Sequence, residues 1–241
     1  MLSTHSQRCP LLLLILGVLA MTGEGVPVSR HQCPHHGPLA PASSAWAETL
    51  LQSDTFRPRA HRGGGGGGGH HLARLRHKLA ELEATIRHNK ERLARTVFGD
   101  SYKQTDSELA GLHYHYFEDG DEEVGEDDFS RSYSQFQKLH ISSEMVLADL
   151  RHYTNRHWDP RRGREVVQLW SSIHLLLGSV LKQLYIQLVH THARPAPPLA
   201  RQLVPARVRC VPSTAHRDTR DFVILRHILA VSSHYSRIFD V

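Results

Sequence analysis

Four stretches of the chain repeat apolar residues with the period of an α-helix, and this pattern constrains the fold most. In the first stretch, residues 71–98, the apolar positions are three, four or seven residues apart: Leu72, Leu75, Leu79, Leu82, Ile86, Leu93 and Val97. That spacing puts them on one face of a helix. The pattern therefore predicts helix A over 71–98, ended by Gly99 in a left-handed conformation.

Three further helices are predicted on the same basis. Helix B spans about 129–158 and stops at Asp159-Pro160, helix C spans about 164–192, and helix D runs from an N-cap at Asp218 almost to the C-terminus. Helix C has the richest apolar stripe, so we expect it to be the most buried. Prolines between positions 195 and 212 exclude helix from about 194 to 217.

The lengths of the connections predict how the helices are arranged. Only residues 159–163 separate B from C, so these two are expected to be antiparallel neighbours. The A–B and C–D connections, with about 30 and 25 residues, can cross the length of a bundle. The predicted fold is therefore all-α, an up-up-down-down four-helix bundle with long A–B and C–D crossover loops. An up-down bundle is the alternative, because long loops cost little free energy.

The N-terminal 25 residues have the composition of a secretory signal peptide. Arg8 precedes an apolar run at 11–20, and small residues follow at Thr22, Gly23 and Gly25. The run is shorter than the roughly 20 residues that span a bilayer, although a short membrane anchor is the alternative. We predict a signal peptide at 1–25, a flexible leader rich in proline and glycine at 26–70, and a secreted, extracellular helical domain at 71–241 without membrane insertion.

Cysteine usage agrees with an oxidising compartment. Cys9 belongs to the signal peptide, and Cys33 and Cys210 remain after its removal. Two cysteines in a secreted chain predict one disulfide between them. Two free or intermolecular thiols are the alternative.

Charge and motifs exclude several function classes. The formal net charge of +5 and the sequence pI of about 9.3 favour contact with sulfated glycans. The chain has no nucleic-acid module motif, no nucleophile or metalloprotease motif, and no sign of a cofactor, so we expect neither nucleic-acid binding nor an enzyme.

Histidine is abundant, with 20 residues, and it raises the question of metal binding. The closely spaced histidines are His35 and His36, His70 and His71, and His113 and His115. A structural metal site needs about four ligands at defined spacing, which these pairs do not provide. We therefore expect solvated surface histidines and no metal site.

Two segments resemble the interleukin-6 class of long-chain helical cytokines. Residues 172–180, Ser-Ile-His-Leu-Leu-Leu-Gly-Ser-Val, are similar to helix C of its cardiotrophin-like members. Residues 221–229, Asp-Phe-Val-Ile-Leu-Arg-His-Ile-Leu, are similar to the start of their helix D. The branch that contains ciliary neurotrophic factor, cardiotrophin and leukaemia inhibitory factor fits best, and the likeness covers about 72–241.

The resemblance implies a receptor-binding site at the start of helix D. In this branch a Phe and a Lys contact the leukaemia-inhibitory-factor-type receptor, and they correspond to Phe222 and Arg226 here. An aromatic anchor beside a cation is a common hot-spot composition. The alternative is that Phe222 is the first core residue of helix D. The tryptophans of the relatives are replaced by residues 231–234, Val-Ser-Ser-His, so an alpha-receptor contact is not carried over.

Three function classes follow from these observations. The leading one is a secreted cytokine that assembles class I receptors, namely a leukaemia-inhibitory-factor-receptor-like chain and a shared signalling chain, and triggers JAK-STAT-type signalling. The second is a helical carrier of a lipid or small molecule. The third is a secreted hydrolase with a scattered site.

Overall fold

The computed structural model describes residues 67–109, 128–153, 160–191, 204–211 and 213–240. These residues are almost all helical and include no β-strand, so the predicted all-α class is confirmed for them. The predicted signal peptide, most of the leader, Cys33 and the acidic stretch 118–127 lie outside them. The elements are α1 (Gly67–Phe98), a 3₁₀ turn (Gly99–Ser101), α2 (Tyr102–Glu108), α3 (Asp128–Tyr153), α4 (Pro160–His190), α5 (Ala206–Arg209) and α6 (Thr214–Phe239).

Predicted helices A, B, C and D correspond to α1, α3, α4 and α6, but their ends differ. α1 begins at Gly67, inside the glycine run expected to hold no regular element, because the strongly helical segment that follows extends back into it. α4 begins at Pro160, since a proline fits the first turn of a helix. α6 begins at Thr214 after an N-cap at Ser213, so the N-cap predicted at Asp218 is wrong.

A short helix, α5, interrupts the proline-rich connection where the sequence predicts none. It follows Pro205, whose carbonyl accepts hydrogen bonds from the backbone N–H groups of Val208 (2.9 Å) and Arg209 (3.1 Å). The side chains of Val204 and Val208 are buried against α3. The exclusion of helix at 194–217 is therefore wrong at this point, because a proline before a first turn removes no intrahelical hydrogen bond.

The four long helices share one hydrophobic core. The stripe of α1 faces it, with Leu75, Leu79, Leu82 and Ile86 fully buried. The apolar stripe of α4 is buried as well, and Trp170 near its start is 1% exposed. Truncating one such side chain to alanine costs about 2–5 kcal/mol, so these stripes hold the helices together.

Contacts between helix ends show which ends lie together. At the start of α1, His71 packs on His190 at the end of α4, with ring centroids 4.9 Å apart. Arg76 Nε, one turn later, donates a hydrogen bond to the carbonyl oxygen of Phe239 at the end of α6. Phe129 at the start of α3 stacks on the same Phe239 at 4.9 Å. The starts of α1 and α3 thus both lie against the end of α6.

One described helix is apolar and long enough to pass as a membrane span. The stretch Gly163–His190 of α4 has a mean hydropathy of 1.3 in its most apolar window. Of that window, 44% is buried inside the protein. A core helix reaches the same hydropathy, so this property is weak evidence for a span.

Candidate functional site

Phe222, the aromatic residue of the predicted receptor-binding pair, lies in the core. Its side chain is 1% exposed. It packs edge-to-face on Phe98 at the end of α1, with ring centroids 5.3 Å apart. Lys90 Nζ lies 5.9 Å from its ring centroid. This geometry matches the alternative in which Phe222 is the first core residue of the helix, and its role in receptor binding stays a prediction.

Arg226, the second member of the pair, lies one turn further along α6 and is partly exposed, with 26% of its side chain accessible. Its Nη1 donates to the carbonyl oxygen of Asp106 in α2 (3.2 Å), and its Nε lies 3.7 Å from Asp106 Oδ1. Lys90 Nζ donates to Asp106 Oδ2 (2.8 Å). Asp106 therefore links α1, α2 and α6 beside Phe222.

The segment between α1 and α2 covers this end of the core. Gly99 has a φ of 63°, a left-handed conformation that glycine adopts without a steric penalty, and it ends α1 as the sequence predicts. The 3₁₀ turn and α2 then run back towards α6, as the contacts of Asp106 show. Residues 99–128 have no sustained apolar period, so no helix is predicted there from the sequence. α2 is only seven residues long, too short to show such a period.

Tyr102, at the start of α2, is partly buried and forms a polar cluster with the end of α1. Its hydroxyl donates to Glu91 Oε1 (2.5 Å) and accepts from Arg95 Nη2 (3.1 Å). The guanidinium of Arg95 lies 5.0 Å from the ring centroid, and Lys103 Nζ lies 6.0 Å from it. The hydrogen bond from Tyr102, with that from Arg95, lowers the pKa of Glu91. Sequence reasoning missed this cluster, because single polar residues carry no periodic signal.

Arg220 forms a buried ion-pair network at the start of α6. Its side chain is fully buried, and its Nη2 donates to Asp149 Oδ2 of α3 (2.7 Å) and to Asp221 Oδ1 (2.6 Å). Its Nη1 donates to the carbonyl oxygen of Val208 in α5 (3.1 Å). One guanidinium thus ties α3, α5 and α6 together, and its five donors suit this fork geometry.

Burial changes the acidity of the carboxylates in this region. It raises the pKa of Asp221 to about 6, although Arg220 opposes the change. It also raises the pKa of Asp218 to about 7, with a further contribution from Asp221. Burial lowers the pKa of Arg220, but Asp221 and Asp149 raise it more, so the net change is upward and Arg220 stays charged. The start of α6 therefore holds acids that titrate near neutral pH.

A small cleft lies beside these acids. Its volume is about 10 Å³, roughly the room that one water molecule needs. Its walls combine two carboxylates with apolar side chains from α1, α3, α4 and α6, namely Leu93, Val97, Leu150, Val166, Trp170, Asp218, Asp221 and Phe222. Ligand pockets usually have roughly 300–1,000 Å³, so the cleft is too small for a drug-sized molecule.

Two histidines stack at the interface of α3 and α4. The rings of His140 and His174 are 4.1 Å apart and nearly parallel. Ser143 Oγ lies 2.9 Å from His174 Nδ1. Burial lowers the pKa of His174. Gly178 of α4 faces the His140 ring, and a Cβ at that position would lie 3.4 Å from His140 Nε2, an ordinary van der Waals contact.

The remaining sequence-based candidates are only partly described. Cys210 is buried just after α5, whereas Cys33 lies outside the described residues, so their pairing stays a prediction. Of the histidine pairs, only His70 and His71 lie in a described helix, at the start of α1. In the described part of the chain, no three or more His, Cys, Asp or Glu side chains are arranged to hold a metal ion.

Comparison with known proteins finds no relative. No family model, no curated protein and no solved structure matches the chain.

Proposed function

We propose that the chain is a secreted helical cytokine. It binds class I cytokine receptor chains, one leukaemia-inhibitory-factor-receptor-like and one shared signalling chain, through separate helix faces. Bringing the receptors together activates their kinases and JAK-STAT-type signalling. The ligand itself catalyses nothing and needs no cofactor.

The proposal is carried by the way in which the helix ends meet. The start of α1 lies against the ends of α4 and α6, and the start of α3 lies against the end of α6. The end of α3 lies against the start of α6 through Asp149 and Arg220. These contacts support an up-up-down-down bundle, in which α1 and α3 point one way and α4 and α6 the other. An up-down bundle would make α1 and α3 antiparallel.

Accessible side chains on different helices support contact with more than one partner. The partly buried Tyr102 combines an aromatic ring with the exposed cation Arg95 near the end of α1, and Tyr and Arg are enriched in binding hot spots. Leu175, on α4, exposes 70% of its surface, which is unusual for a large apolar side chain on a helix with a buried stripe.

The carrier alternative has less support. A carrier of a lipid or small molecule needs an apolar cavity that encloses its ligand. The cleft beside Asp218 has a volume of only about 10 Å³, and Trp170 and Phe222 fill the core around it. A lipid tail would need these aromatic side chains to move.

The test is a signalling assay on cells that express both receptor chains. The purified chain is compared with Arg226→Glu, which reverses a partly exposed charge at the predicted site. Arg237→Glu is the matched control, because it makes the same change at an exposed position on the same helix. We expect receptor-dependent STAT phosphorylation from the wild type and from Arg237→Glu, and a loss of at least tenfold in potency from Arg226→Glu.

A second variant separates the role of Phe222 from that of Arg226. Phe222→Leu keeps a large apolar side chain in the core and removes only the aromatic ring. Full signalling by a folded Phe222→Leu variant would return Phe222 to a purely structural role and leave the cytokine proposal intact. No signalling by the wild type on any class I receptor pair contradicts the proposal itself.

A further inference from the structure

The outward face of α1 carries a stripe of cations and histidines. Positions 74, 77, 81, 84, 88, 92 and 95 are three or four residues apart, so they follow one face of the helix. All of them are exposed, on the side opposite the buried stripe. We call this set the α1 stripe: Arg74, His77, Glu81, Ala84, His88, Arg92 and Arg95.

Much of the positive charge on the α1 stripe is not neutralised locally. Within the described part of the chain, the side chains of Arg74, His77, His88 and Arg92 have no hydrogen-bond or ion-pair partner. The one carboxylate in the stripe, Glu81, accepts a hydrogen bond from Lys78 (2.6 Å) on its flank. Arg74 and Arg92 therefore present unpaired guanidinium groups to solvent.

The net charge of this face is positive even when its flanks are included. Lys78 and Glu91 lie beside the stripe, and Glu91 is paired with Arg95 at 2.5 Å. The face then has four cations, Arg74, Lys78, Arg92 and Arg95, against two carboxylates, for a net charge of +2. Its histidines add further hydrogen-bond donors for anionic oxygens.

The shape of the α1 stripe favours a long, charged ligand over a folded protein. Positions 74 and 95 are separated by about 32 Å along the axis, at 1.5 Å per residue. The stripe has no large apolar or aromatic side chain, except for Tyr102 packed beside its last arginine. Protein–protein interfaces depend on large aromatic or apolar side chains that become buried on binding. A linear polyanion is held mainly by repeated contacts with cations.

We propose that the α1 stripe binds a linear sulfated polysaccharide. Sulfate groups along the chain accept hydrogen bonds from Arg74 and Arg92 and lie along the helix axis. A polysaccharide is preferred over a nucleic acid because the proposed function makes the chain a secreted protein, which meets extracellular polyanions; this step rests on the proposed function. The binding itself does not depend on any receptor, because the stripe is separate from Phe222 and Arg226.

The test measures binding of heparin to the purified chain over a series of NaCl concentrations. Arg74→Gln/Arg92→Gln removes the two unpaired arginines, and Arg151→Gln/Lys182→Gln removes two exposed cations from α3 and α4 as the matched control. We expect the stripe variant to lower the slope of log K against log salt by about two, or roughly one per lost cation. The control variant should keep the wild-type slope, and helical circular dichroism should be unchanged in both.

Several outcomes overturn the proposal. Equal losses in the two variants would mean that heparin follows net charge and not the α1 stripe. Undiminished binding to heparin stripped of its sulfate groups would exclude sulfate recognition. Tighter binding to an RNA oligonucleotide or to anionic phosphatidylserine vesicles than to heparin would assign the stripe to another class of partner. Each result is independent of receptor signalling, so failure here leaves the receptor proposal intact.

Discussion

The buried guanidinium of Arg220 provides a sharp test of how the chain folds. The variant Arg220→Met keeps most of the side-chain volume and removes the charge. It removes the guanidinium that pairs with the carboxylates of Asp149 and Asp221, whose side chains are only 5% and 9% exposed. It also leaves the carbonyl oxygen of Val208 without its donor.

The expected cost follows from those lost partners. Breaking a buried ion pair by removing one member destabilises a protein by about 3–5 kcal/mol, because the other charge remains buried and uncompensated. Proteins of this size have a free energy of unfolding of about 5–15 kcal/mol, so the variant loses a large share of its stability. The loss should be smaller at pH 4 than at pH 7, because the two buried carboxylates can then take up a proton.

Urea unfolding followed by circular dichroism measures this cost. Arg237→Met is the matched control, because Arg237 is exposed and its Nε donates only to a carbonyl oxygen of its own helix (3.2 Å). We expect the control to stay within about 0.5 kcal/mol of the wild type. A cost below about 1 kcal/mol for Arg220→Met, or an equal cost at pH 4 and pH 7, would refute the reasoning.

Three further predictions follow from the structure. Asp218→Asn should raise stability at pH 8 more than at pH 4. The pKa of Asp218 is raised from 3.8 to about 7 in the folded state, so the wild type loses stability as pH rises between these two values; urea midpoints at pH 4 and pH 8 test this. Gly178→Ala should stabilise α4 by up to about 1 kcal/mol, because its Cβ would contact His140 at an ordinary 3.4 Å, whereas Gly178→Val should destabilise it; thermal melting separates the two. Mass spectrometry of the unreduced protein should recover one linked peptide pair containing Cys33 and Cys210, and two unlinked thiols would contradict the predicted disulfide.

Helix periodicity predicted most of the fold. The apolar stripe of α1 is buried where its spacing places it, and the short connection predicted at 159–163 indicated the contact of α3 with α4. Helix ends were less predictable, because they depend on local capping. α6 starts after Ser213, ahead of Asp218, and the first turn of α5 follows Pro205 in a stretch where the prolines were expected to exclude helix.

The candidate site was less accessible to sequence reasoning. The stretch 217–221 alternates charges at the start of a helix, which normally indicates a solvated turn, yet Arg220 is fully buried. Its burial depends on Asp149, 71 residues away, and no local pattern shows that partner. From the sequence, Phe222 could be either a receptor-binding residue or a core residue. Helical spacing places it on an apolar face, but it does not show that Phe98 packs against its ring.

The most direct test of the cytokine proposal is binding of the purified chain to isolated receptor ectodomains. Surface plasmon resonance with a leukaemia-inhibitory-factor-receptor-like ectodomain and the shared signalling ectodomain, singly and together, reports whether one ligand holds both. We predict saturable binding to each and a ternary complex when both are present. Absence of saturable binding to either ectodomain, by a chain shown to be helical and cooperatively folded, would contradict the account.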